Sequence, residues 1–91
     1  MIVQTQEGIK IFEVIGVEAH TPPEGTETNI WGHSPNSDDL HFLASYENAD
    51  IAKSVMRLFA ISIQKGRALY HFPSNELATK WFEKDKEERS L

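Results

Sequence analysis

Four histidines, His20, His33, His41 and His71, stand in a chain of 91 residues, with Asp38 and Asp39 between the second and third of them. Imidazole and carboxylate are zinc ligands, and zinc needs three or four of them converging on one point. His33 and His41 can approach across a hairpin with an aspartate as third ligand, which would make a minimal metal-dependent hydrolase. The spacing speaks against that reading. No pair stands at the interval of HExxH, and ligands on strands meet only when the register matches. Solvent-facing histidines on a sheet account for the same residues, so no metal and no cofactor is expected. Ser34, Ser37 and Ser45 lie near histidines without a GxSxG elbow. The five glycines are scattered, so no phosphate cradle forms. Without cysteine there is no thiol nucleophile and no disulfide framework. A chain this short has little material for both a core and a walled active site, and an enzyme is not expected.

Aromatic and cationic side chains offer a different chemistry. Aromatics are over-represented at the energetic centres of interfaces. Trp81 and Phe82, with Leu77 and Ala78, make an apolar stripe on a helix that is otherwise charged. Ile61 falls outside the apolar arc of the preceding helix and can extend the same patch. Ile61, Leu77, Trp81 and Phe82 are therefore the expected partner or oligomer interface, with a homodimer or higher assembly as one outcome. The alternative set is Arg57, Lys65 and Arg67 for an anion, with Tyr70 or Trp31 to stack on a base, as in a nucleotide-like ligand held between subunits. Trp31 competes for a place in the core.

Nine Lys and Arg against fourteen Asp and Glu give a formal charge of −5. That opposes generic nucleic-acid binding, which needs cations to displace counterions. It permits a basic protein partner, and equally serves solubility. No stretch reaches the roughly 18 apolar residues of a membrane span. Met1 to Gly8 lacks the basic and apolar regions of a secretory signal. A cytoplasmic location is the expectation.

The elements that must position these residues follow from periodicity. Ile2–Gln6 and Ile9–Ala19 read as strands around Glu7-Gly8, the second with apolar residues on both faces, which implies either partial burial on both sides or a bulge near Gly16. Thr21–Thr26 is a proline loop. Thr28–Gly32 and Leu40–Tyr46 form a second hairpin, with Leu40, Phe42, Ala44 and Tyr46 expected on one face. Asn48 caps a helix whose core face is Ile51, Ala52, Val55, Leu58, Phe59, Ser62 and Ile63, closed by Gly66. Arg67–Phe72 is a last strand, and Ser74 or Asn75 caps a charged final helix. The expected fold is α+β in a single domain, 1–91. It consists of a small antiparallel sheet of two hairpins plus the strand after the central helix, with that helix packed on a face and a charged C-terminal helix. The end, 83–91, whose run Glu83–Arg89 is all charged, is expected to fray or project.

The runs Leu-Ala-Ser-Tyr-Glu-Asn-Ala-Asp-Ile-Ala-Lys-Ser-Val from Leu43 and Gln-Lys-Gly-Arg-Ala-Leu-Tyr-His-Phe-Pro from Gln64 carry a resemblance. They are similar to a group of small uncharacterised α+β proteins of Gram-positive bacteria and their phages. The likeness covers residues 1–15 and 43–73, leaves out Thr21–Asp39 and the helix after Pro73, and transfers no catalytic residue. It implies the fold and a phage or mobile-element setting. The functional expectation is a non-enzymatic binding module, a phage accessory protein that inhibits a host factor by protein contact.

Overall fold

The computed structural model describes the backbone of residues 1–90 and the side chains up to Glu87, so the segment 83–91 extends past the described residues. Eight elements follow in order: β1 (Ile2–Gln4), β2 (Ile11–Glu13), β3 (Gly16–His20), β4 (Thr28–His33), β5 (Leu40–Tyr46), α1 (Ala49–Gln64), β6 (Leu69–His71) and α2 (Asn75–Ser90). The fold is α+β. Its strands divide into two three-stranded sheets, ordered β2-β1-β6 and β3-β4-β5. Among the described residues no helix is long and apolar enough to cross a membrane.

The first hairpin closes where Gly8 adopts φ 78°, a conformation that costs glycine little. The stretch Ile9–Ala19 is two strands in two sheets. Val14 N–H still bonds Met1 O at 2.8 Å, while Ile15 N–H bonds His33 O at 3.0 Å. Neighbouring residues thus serve different sheets, and Val14 turns fully inward at the corner. This corner is why the segment carries apolar residues on both faces.

The second sheet is an antiparallel meander with a bulge. Ile30 pairs Ala44 and Trp31 pairs Phe42, so Leu43 is the extra residue. Leu43 and Ala44 both point inward, and the alternation reverses there. Leu40 and Phe42, expected on the face of Ala44 and Tyr46, therefore lie on the outer face and are exposed. Gly32 faces this inner bulge. A Cβ at Gly32 would stand 2.7 Å from Val14 Cγ1 and 3.0 Å from Leu43 Cδ1.

Asn48 Oδ1 accepts the Ile51 N–H at 2.9 Å and starts α1. Ile51, Ala52, Val55, Phe59 and Ser62 are buried, as their spacing predicts. Leu58 and Ile63, assigned to the same face, are exposed, so the core arc is narrower than the apolar arc. Beyond Gly66 (φ 69°) the chain returns as β6, which pairs parallel with β1, Val3 opposite Tyr70. A parallel neighbour requires a long crossover, here supplied by the whole second sheet and α1. Phe59 stacks on Phe72 at 5.6 Å and meets Tyr70 edge-on at 5.1 Å.

Three bonds hold the return into α2. Tyr46 Oη donates to Pro73 O at 2.8 Å, Gln6 Nε2 donates to the same oxygen at 3.3 Å, and Asn75 Oδ1 accepts the Glu47 N–H at 2.9 Å. Ser74 Oγ caps the helix by accepting the Leu77 N–H at 3.2 Å. Ala78 is buried and Phe82 packs against the core. The final helix thus folds back over its own domain.

Candidate functional site

A groove of about 760 Å³ lies between α1, β6 and α2. Ligand clefts span roughly 300–1,000 Å³. One stripe of α1 forms its floor: Ser54, Leu58, Ile61, Ser62 and Lys65 recur at helical spacing beside the core face. Leu69 and Tyr70 of β6 make one wall, and Trp81 and Phe82 of α2 the other. Leu58 and Ile61 are 38% and 37% exposed. The groove is the reason they escape the core.

Three cations line it, Arg57, Lys65 and Arg67, and Asp85 is the carboxylate among the lining residues. The ion pairs of Glu18 with His20 and His33 lie outside this groove, whose lining includes none of the three. Lys65 sits at the C-cap of α1, where the helix dipole is negative and favours a cation. Burial pushes the Tyr70 phenol up to about 12, so it is a neutral hydrogen-bonding group at neutral pH. Its ring is fixed edge-on against Phe59 and Phe72.

The structure brings most of both expected residue sets to this one place. Ile61, Trp81 and Phe82 from the interface set share the groove with Arg57, Lys65, Arg67 and Tyr70 from the ligand set. Leu77 stays exposed on α2 and does not line it. Trp31 lies elsewhere. It is half-buried on the outer face of β4, edge-on to Phe42 at 5.4 Å, and belongs neither to the buried core nor to the groove. Leu58 and Leu69 were missed as site residues. For Leu58 the signal was present, since it shares the helical stripe of Ile61 and Lys65.

The histidines separate. His33 pairs with Leu40 and His41 with Gly32, adjacent rungs whose side chains point to opposite faces. His41 stacks on Phe12 at 4.0 Å, and Asp38 and Asp39 sit in an exposed turn, so the approach of His33 and His41 does not occur. Instead His20 and His33 converge on Glu18, at 3.1 and 3.4 Å. The His20 hydrogen bond, aided by His33 against some loss of solvation, holds the Glu18 carboxyl below its ordinary value. Among the described residues no group of three histidines or carboxylates is placed to hold a metal ion. His71 lines the groove. Comparison gives no relative: no protein-family model, no curated protein and no solved structure matches this chain.

Proposed function

We propose that the protein is a non-enzymatic binding module that engages a protein partner through the groove of α1, β6 and α2. The observation that carries this reading is the convergence of Leu58 and Ile61 in the floor, an aromatic residue in each wall and three cations against one carboxylate on one concave surface. Interfaces draw their affinity from aromatic anchors and arginines in such settings. The setting proposed with it is a phage or mobile-element accessory protein that inhibits a host factor in the cytoplasm; the resemblance of residues 1–15 and 43–73 supports it. Capture from host lysate by the wild type and by Ile61→Asp tests the site. The partner should be retained by the wild type and lost by a folded Ile61→Asp chain. Equal capture by both would remove the groove from the function.

A second reading is favoured by one observation: Tyr70, Trp81 and the three cations together are what a phosphate-bearing aromatic ligand needs. A nucleotide-like ligand would bind only the folded state and raise its melting temperature. A thermal-shift series with nucleoside monophosphates separates the two readings.

A further inference from the structure

We propose that the partner contributes an extended acidic segment that adds as a strand to the free edge of β6 and lies in the groove over α1. The inference rests on the groove being the binding site and adds the form and charge of what enters it. Phe72 N–H bonds Gln4 O at 3.1 Å, on the β1 side. Along a strand, successive residues turn their N–H and C=O to opposite edges. Leu69 and His71 therefore direct theirs away from β1, along the outer edge of a strand whose three residues all line the groove. The sheet order β2-β1-β6 ends there, and no described strand pairs with that edge. An edge of this kind is a template for an added strand.

The surroundings suit a strand. One more strand in the plane of β6 would pass over α1 and cover Leu58 and Ile61, with Trp81 and Phe82 closing the far side. Charge selects the occupant. Lys65 and Arg67 mark one end of the groove, and Arg57 lies eight residues before Lys65 on α1. Eight residues of helix rise about 12 Å. An extended chain covers that length in about four residues at roughly 3.3 Å each. The segment accordingly carries two acidic residues four apart, on one face, with β-branched apolar residues between them. A second copy joined β6 to β6 is a poorer occupant, because it would bring the two sets of cations together.

Panning a display library of random heptapeptides on the full chain tests this, followed by amide hydrogen exchange with one selected peptide bound. Selected sequences should place Asp or Glu four residues apart. Exchange at Leu69 and His71 should slow by roughly tenfold or more, the mark of newly bonded amides. Arg67→Glu should weaken the peptide, and methylating alternate peptide nitrogens should abolish binding in one phase and not the other. Strand addition is overturned if no peptide is selected, if acids are not enriched, or if a bound peptide leaves exchange at Leu69 and His71 unchanged. It is also overturned if adenosine monophosphate, and no peptide, shifts the Tyr70 and Trp81 resonances. A peptide that shifts Ile61 and Trp81 without protecting β6 would sink strand addition alone and leave the groove as the binding site.

Discussion

Glu18 takes hydrogen bonds from two imidazoles on the outer face of the second sheet, and its carboxyl is held below the ordinary 4.5. A carboxyl with a lowered folded pKa adds stability that is present above the unfolded value and lost as pH falls through the folded one. Urea midpoints of the wild type should therefore drop more steeply below pH 4.5 than those of Glu18→Gln. Parallel curves would mean that the cluster is indifferent to folding. Tyr46 offers a second measurement at this scale. Its hydroxyl is buried and donates to Pro73 O, which also accepts from Gln6, so Tyr46→Phe leaves that oxygen one partner. The loss should be about 1 kcal/mol, in the usual range for a hydrogen bond. A loss above about 3 kcal/mol would show that this bond alone seats α2.

Two stripes run along α1, one inward and one into the groove, and they divide its apolar residues by energy. Phe59 is 4% exposed and touches Tyr70 and Phe72, whereas Leu58 is 38% exposed. Phe59→Ala should cost about 3–5 kcal/mol, much of the roughly 5–10 kcal/mol available to a small domain. Leu58→Ala should cost under about 1.5 kcal/mol. Thermal or chemical denaturation of the two variants checks the division. Similar losses would place Leu58 in the core and close the groove. β4 packs closely at Gly32, which has no room for a Cβ beside Val14 and Leu43.

The whole molecule is acidic, yet its groove is locally cationic. Attraction for an acidic segment acts only within about 10 Å at ordinary salt, so a distant acidic partner first meets repulsion. Partner affinity should consequently depend on the groove cations more than on net charge. Self-association is the competing use of α2. Ala78 and Phe82 are already seated on the chain's own core, which leaves Leu77 and Trp81, 40% and 44% exposed, for a second copy. If the chain pairs through them, light scattering at tens of micromolar, above typical dimer constants, gives a dimer mass that Trp81→Glu reduces to the monomer. A monomeric wild type, or an unchanged mass in the variant, rules this contact out.

Local chemistry made much of this protein legible in the sequence. The Asn48 cap, the face from Ile51 to Phe59, the Glu7-Gly8 hairpin and the charged final helix follow from side-chain type and spacing, which act over a few residues. So did most of the groove, because Arg57, Ile61, Lys65 and Arg67 are near neighbours on or beside one helix. Tertiary structure decided what depends on which surface meets which. Val14 and Ile15 bond to different sheets, Leu43 bulges and reverses the face of β5, and Trp31 lands outside the groove. None of these leaves a local signature, since a strand reads the same whichever sheet it joins. The parallel pairing of β6 with β1, and with it the free edge beside the groove, brings together residues more than sixty positions apart. Only the closure of the core sets that register, because burying Val3 and Phe72 on one side fixes which edge of β6 remains open.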